Sequence, residues 1–328
     1  MSEAMEAFPG GLPPSLTVGP RSKPGNHEAS RKASQAVLSP AQIVPNGLLM
    51  SSPTADIRLA EWWNLLIEDY SRCKFTFTKD KLIALSGVAK YVAKSRPADR
   101  YLAGMWQSCM VYGLAWFPIH DPGRIYSNAG SSGFHAPSWS WASFDGEVCF
   151  PAIAPDNPKC FARVVRIAED PMLLDGADAS MPPHAYCSIK LETFLFPLRV
   201  DWSAEFFDSV MLVDFGLCFS ENDELFGAEI DIEDGMLKSI TSRHPLFLVP
   251  LYLTDYFLQA MILVSAEGQD NVYHRLGRIG IPIQVQDMES EEVDQIHLHW
   301  NALRLIRYME DHDKGVERSS RYSTFEIL

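Results

Sequence analysis

The chain has 328 residues, 47% of them apolar and 11% aromatic, a globular composition long enough for one large or two ordinary domains. Its formal net charge of -14 argues against nucleic acid or an anionic membrane surface as a partner, because like charge repels. Its six cysteines, Cys73, Cys109, Cys149, Cys160, Cys187 and Cys218, lack the short paired spacings of a zinc cluster and the density of a secreted disulfide scaffold.

Free thiols in a reducing, cytoplasmic setting are therefore expected. Residues 1–55 hold eight of the 22 prolines, no Trp or Tyr, and one Phe, Phe8. Such a stretch buries too little apolar surface to offset its ordering entropy, so it is expected to be a disordered tail. Its first residues have neither the basic start nor the apolar run of a signal peptide.

Residues 56–117 read as a helical region. In "DIRLAEWWNLLIEDYSRC", Ile57, Leu59, Trp62, Trp63, Leu66 and Tyr70 recur at spacings of three and four, which predicts one buried stripe. In "FTFTKDKLIALSGVAKYVAKS", Thr78 or Asp80 is a candidate cap for a helix through Leu82, Leu85, Val88, Ala89 and Val92, ended by Pro97. "YLAGMWQSCMVYGLAWF" predicts a third helix, with Leu102, Met105, Trp106, Cys109 and Leu114 apolar.

Residues 118–328 read as β-rich. "SWSWASF" alternates, so Trp139 and Trp141 are expected on one face of a strand and Ser138, Ser140 and Ala142 on the other. Asp145-Gly146 then predicts a two-residue hairpin turn, with "EVCF" as the returning strand. Further strands are expected at 161–170, 187–201, 210–219, 244–253, 259–268 and 272–283, and in the closing "STFEIL". The apolar run 246–264 contains Pro250, Asp255 and Gln259, so it predicts two buried strands joined at "TDYF" rather than a membrane span. A late helix near 290–312 is expected to carry Val293, Ile296, Trp300, Leu303 and Ile306 or Arg307 on one face. The fold class that follows is α+β: helices packed on a mostly antiparallel sandwich or partly open barrel.

Four blocks in this order resemble fungal heterokaryon-incompatibility (HET) domain proteins, in the region downstream of the HET domain itself. They are "WWNLLIEDYS" (Trp62, Trp63, Tyr70, Ser71), "KLIALSG" (Lys81, Leu82, Gly87), "YLAGMW" (Tyr101, Leu102, Ala103, Gly104, Trp106) and "APSWSWAS" (Ala136, Pro137, Ser138, Trp139, Ser140, Trp141, Ala142, Ser143), the last followed by Asp145-Gly146. The likeness covers roughly residues 60–283. The "SYVWG" and "IDALCIDQ" landmarks of the HET domain do not occur, so the chain is expected to be a truncated paralogue or a partial gene model. The resemblance implies a regulatory or recognition region in a self/non-self response that leads to programmed cell death. A protein partner is expected, with loops 121–135 and 220–235 as its contacts because of their polar, turn-rich composition, and no small-molecule ligand or cofactor is expected.

Candidates for chemistry each have a plainer alternative. His297 and His299 chelate a metal only on a strand, and the region reads as helical. Glu229, Asp231, Glu233 and Asp234 lack the spacing of a calcium loop, so a solvated turn is the simpler reading. Cys109 with His120, or Cys149 with His135, suit a nucleophile–base pair, yet nothing in the sequence fixes either distance. "NAGSSGF" lacks the Gly-Lys-Ser/Thr of a phosphate loop and reads as a linker, and "SENDE" reads as an exposed acidic loop. A hydrolase with such a Cys-His or carboxylate pair, and a remnant with Trp62 and Trp63 exposed, are the two alternatives.

Overall fold

The computed structural model describes residues 53–73, 80–119, 136–153, 158–167, 188–203, 206–220, 228–230, 234–283, 293–313 and 321–328. The expected tail lies outside these, except for the last residues of its range. Helix α1 spans Pro53–Ser71, and Pro53 suits a first helical position, where no N–H is needed. Helix α2 spans Asp80–Ser95 and stops just before Pro97, whose ring cannot continue it. The stripes expected on both helices are buried, apart from Val88, which is half-buried against the core. Tyr70 Oη donates to the Lys81 carbonyl at 2.7 Å, while Arg96 pairs with Asp56. The end of α1 therefore meets the start of α2, and the start of α1 meets the end of α2, so the two run antiparallel.

The expected third helix is replaced by a small hairpin. Strands β1 (Tyr101–Leu102) and β2 (Met105–Trp106) pair around Ala103 and Gly104, whose φ values are 46 and 90. Two successive left-handed residues make a tight two-residue turn, a geometry that α-helix cannot contain. A 3-10 turn at Gln107–Cys109 and a short helix α3, Met110–Gly113, follow. They bring the chain to β3, Phe117–Pro118.

The "SWSWASF" strand is also corrected. Trp141–Ser143 is a 3-10 turn capped by Ser140, whose Oγ accepts the Ala142 N–H at 3.1 Å. Strand β4, Val148–Cys149, pairs with β3 and not with the tryptophan segment, so Asp145-Gly146 closes no hairpin between them.

The main sheet has 11 strands among the described residues. They are β5 (Lys159–Cys160), β6 (Arg163–Ile167), β7 (Ile189–Phe194), β8 (Phe196–Ser203), β9 (Phe206–Leu212), β10 (Leu217–Ser220), β11 (Ala228–Ile230), β12 (Leu246–Leu253), β13 (Phe257–Ser265), β14 (Val272–Pro282) and β15 (Tyr322–Ile327). A short helix, α4 (Asp234–Thr241), precedes β12. The order is β10-β9-β8-β12-β13-β14-β15-β7-β6, with β5 on β12 and β11 on β14, and the sheet stays open. The α+β class expected from the sequence is the one observed, and β12 and β13 flank the "TDYF" connection. Two expected strands divide, 187–201 at Leu195 and 210–219 at a 3-10 turn, Val213–Phe215, closed by Gly216 with φ 65. All pairings are antiparallel except β14 with β15. Parallel neighbours need a crossover, and helix α5 (Val293–Asp313) supplies it.

Strand alternation sorts the core into two clusters. Leu258, Ala260, Ile262, Ile279 and Ile281 join Ala302, Leu305, Ile306 and Met309 of α5. Met261, Leu263, Tyr273 and Val249 join the tryptophan-rich layer of α1, α2 and the β1–β2 hairpin. The inward face of α5 is offset from the expected one: Trp300 is 62% exposed and Leu303 36% exposed.

Candidate functional site

The four sequence blocks meet at the β1–β2 turn. The Gly104 carbonyl accepts the indole N–H of Trp63 at 2.7 Å and that of Trp141 at 3.3 Å. The Ala103 carbonyl accepts from Ser140 Oγ at 2.7 Å. A Cβ on Gly104 would lie 2.5 Å from Trp141 Nε1, so the turn needs glycine for space as well as for its positive φ. Trp63 also packs edge-on against Trp106 and Tyr101. Trp62 and Trp63 are both buried, so neither is the exposed side chain that the remnant alternative pictured.

The end of α1 and the start of α2 grip the segment after the tryptophans. Lys81 is buried and its Nζ donates to the Phe144 carbonyl at 2.8 Å, with Asp145 Oδ1 3.3 Å away. Ser71 Oγ accepts the Val148 N–H at 3.1 Å. Glu68 Oε1 accepts the Phe150 N–H at 2.9 Å, and Cys149 Sγ donates to the same oxygen at 3.2 Å. Leu82 and Leu102 are buried in the same cluster, with Ala136 packed against it. Pro137 is buried at the head of the tryptophan segment, and Gly146 sits where a Cβ would strike the Phe144 ring. At Gly87, on the outer side of α2, a Cβ would meet nothing within 4 Å.

The tryptophan segment is also tied to the sheet. Ser138 Oγ accepts the Arg275 N–H at 2.9 Å, and the Ser138 N–H donates to the Leu328 carbonyl at 3.0 Å. Trp116 Nε1 donates to the Trp139 carbonyl at 3.0 Å. Arg275 lies over the Trp116 ring, 3.6 Å from its centroid, and Arg278 lies over Phe117 at 4.3 Å. A regular strand puts positions three apart on opposite faces. Here Ile262 pairs with Gly277 while Leu263 pairs with Arg275, so Leu276 is the extra residue of a bulge. The bulge turns both guanidinium groups toward the helical layer.

Beside them runs a row of polar groups at matching positions. Tyr252 pairs with Cys160 on one side and with Gln259 on the other, and Gln259 pairs with Gly280. Arg278 Nε donates to Gln259 Oε1 at 3.1 Å, and Cys160 Sγ lies 3.6 Å from Tyr112 Oη. Burial pushes the thiols of Cys160 and Cys109 up, as it does the phenolic hydroxyls of Tyr112 and Tyr252. Cys160 is exposed as a residue, yet its sulfur turns inward to Tyr112, and the surroundings of the sulfur govern the thiol. A thiol held protonated is a poor nucleophile. The row is suited to holding aromatic and cationic side chains in register.

Comparison with protein-family models, with curated proteins and with solved structures finds no match.

The other expected chemical groups are scattered. His297 and His299 fall within α5. Glu229 is in β11 and Asp234 begins α4, while Asp231 and Glu233 lie outside the described residues, as do His120, His135, the linker 128–134, residues 221–224, all of loop 121–135 and most of loop 220–235. Among the described residues, no group of three His, Cys, Asp or Glu side chains is placed to hold a metal ion, and no helix is long and apolar enough to cross a membrane. Sequence reasoning did not single out Glu68, Arg275 or Arg278. Two arginines inside the otherwise apolar run "HRLGRIGIPI" were the available signal.

Proposed function

We propose that this chain is a non-catalytic recognition or regulatory module of the heterokaryon-incompatibility type, acting in the cytoplasm on a protein partner in a self/non-self response that leads to cell death. One observation carries the reading. The four blocks that resemble that family, spread from Trp62 to Ser143, are joined to one another through the carbonyls of Ala103, Gly104 and Phe144. The polar atoms of Trp63, Lys81, Ser140 and Trp141 are used in holding the fold, and a residue engaged in that way supports a scaffold and not a reaction centre. The loops 121–135 and 220–235 supply the partner contacts in this reading, as polar, turn-rich segments carried by a packed frame.

Conditional expression of the full chain in a filamentous fungus, scored for growth arrest and dye uptake, tests the proposal. The expected phenotype persists in Cys160→Ser and Tyr112→Phe and is lost when 121–135 or 220–235 is replaced by a Gly-Ser segment of equal length. A phenotype indifferent to both loop replacements overturns the reading, and so does one lost in Cys160→Ser while the melting transition is unchanged.

A further inference from the structure

Helix α5 turns a basic, aromatic stripe to solvent. Its opposite face, with Ala302, Leu305, Ile306 and Met309, is packed on the sheet. Two polar contacts on the flanks hold its rotation. Asn301 Nδ2 donates to the Gly216 carbonyl at 3.2 Å, and Lys159 Nζ pairs with Glu310 Oε1 at 3.3 Å. Trp300, Leu303, Arg304 and Arg307 recur at spacings of three and four, so they share the remaining face over two turns, about 10 Å at 1.5 Å per residue. All four are exposed, Trp300 by 62%. Tryptophan and arginine are the side chains that carry most of the free energy at binding surfaces.

The charges narrow the occupant. The chain has 42 acidic residues against 28 Lys and Arg, and Arg72, Arg96, Arg163, Arg199 and Arg321 each pair with a carboxylate. Among the described residues Arg304 and Arg307 have no such partner, and Arg304 donates instead to the amide oxygen of Asn301 at 3.4 Å. A ligand bearing carboxylates supplies the missing charge through short, charge-assisted bonds. A twofold contact between copies would instead bring four guanidinium groups into one interface. An anionic lipid surface meets the repulsion of a chain with net charge -14. The stripe is also small. Two turns of one helix fall short of the roughly 800 Å2 a side that a stable complex of two globular proteins buries, so the stripe fits a short segment.

We propose that the outer face of α5 binds a short peptide segment of another protein in which carboxylates flank a large apolar side chain. The apolar group packs on Trp300 and Leu303, and the carboxylates pair with Arg304 and Arg307. Fluorescence anisotropy of a labelled Glu-Glu-Leu-Phe-Glu-Glu-Leu-Leu-Glu-Glu peptide, titrated with the full chain, tests this. Saturable binding that weakens in high salt is expected, with affinity falling at least about tenfold in Trp300→Ser and in the pair Arg304→Glu with Arg307→Glu. The charge-reversed pair is expected to gain binding to the counterpart peptide with Lys in place of Glu. If that pair unfolds the protein, Arg304→Gln with Arg307→Gln gives the same loss. No binding at millimolar peptide overturns the proposal, as does binding that survives Trp300→Ser and either arginine pair, or equal binding of the Lys peptide to the wild type. Capture by phosphatidylserine vesicles in preference to the peptide assigns the stripe to a lipid surface, and a dimer in light scattering that Trp300→Ser dissolves assigns it to a second copy; either result overturns it. Peptide binding is read without a death phenotype and with loops 121–135 and 220–235 unaltered, so this surface and the recognition function fail separately.

Discussion

Lys81 donates its ammonium proton to the Phe144 carbonyl at 2.8 Å, across 63 positions of sequence and at a buried site. That bond joins α2 to the segment following the tryptophans, with the half-exposed Asp145 carboxylate as counter-charge. Lys81→Met removes the donor and leaves a buried carbonyl unsatisfied, and it is expected to cost about 2–4 kcal/mol in urea unfolding. Asp145→Asn keeps the hydrogen bond and weakens only a partly solvated pair, so a loss under about 1 kcal/mol is expected. Equal losses for the two variants contradict this division of roles.

Gly104 makes a sharper case. Alanine there meets a positive φ and an indole nitrogen already inside contact distance. Gly104→Ala is expected to destabilise by more than about 2 kcal/mol, because strain and overlap add. Ala103→Gly relaxes the neighbouring left-handed residue at the expense of a freer unfolded chain, and a net change under about 1 kcal/mol is expected. Denaturant midpoints of the pair give the comparison.

These two sites also show how far the residues speak before coordinates. The period of α1 and α2 is readable because each buries one stripe, and "TDYF" is readable because a polar break divides two apolar runs. The "SWSWASF" alternation is real, yet five residues of period two do not separate a strand from a serine-capped turn; Ser140 settled it by bonding to Ala142. The β1–β2 hairpin was hidden because Ala and Gly are both tolerated inside a helical pattern, and only tertiary bonding to Trp63, Ser140 and Trp141 selects the turn. The motif residues are visible as a set of large side chains, whereas their convergence on the carbonyls of Ala103, Gly104 and Phe144 is not, since backbone acceptors leave no mark in sequence.

The thiols should react in a fixed order. Cys73 is exposed, whereas Cys109 is buried with its thiol pushed up by burial. Cys160 lies between, with its sulfur turned toward Tyr112 and its thiol raised, so little thiolate is present at neutral pH. Mass-resolved iodoacetamide labelling of the folded protein is expected to find Cys73 first, Cys160 later with a rate still climbing above pH 9, and Cys109 only after unfolding. Labelling of Cys160 that levels off below pH 9 is incompatible with a raised thiol.

His274 gives a small pH effect of known sign. Burial lowers its pKa, against a weaker opposing hydrogen bond to the Leu328 backbone. The residue is exposed overall, so the effect is modest despite the partly buried ring. Because the folded value is depressed, the unfolded chain takes up a proton first as pH falls below the ordinary histidine range near 6.5. Stability is therefore unaffected above that range and declines below it, and His274→Gln is expected to flatten the urea midpoint between pH 7.5 and 5.5. A midpoint that rises on acidification in the wild type but not in the variant reverses the sign and rejects the assignment.

Helix α5 tests the architecture itself, because its inward face differs from the one its sequence suggests. As the crossover between parallel β14 and β15 it must cover the sheet with Ala302, Leu305, Ile306 and Met309, leaving Trp300 and Leu303 outside. Truncating a fully buried leucine removes both transfer free energy and packing, so Leu305→Ala is expected to cost about 2–5 kcal/mol. Trp300→Ser changes an exposed side chain and is expected to fall within about 0.5 kcal/mol of wild type, although tryptophan is the larger residue by far. If urea unfolding instead ranks Trp300→Ser as the costlier substitution, the helix is rotated from the position described, and the sheet face built on Ile262, Ile279 and Ile281 has a different cover.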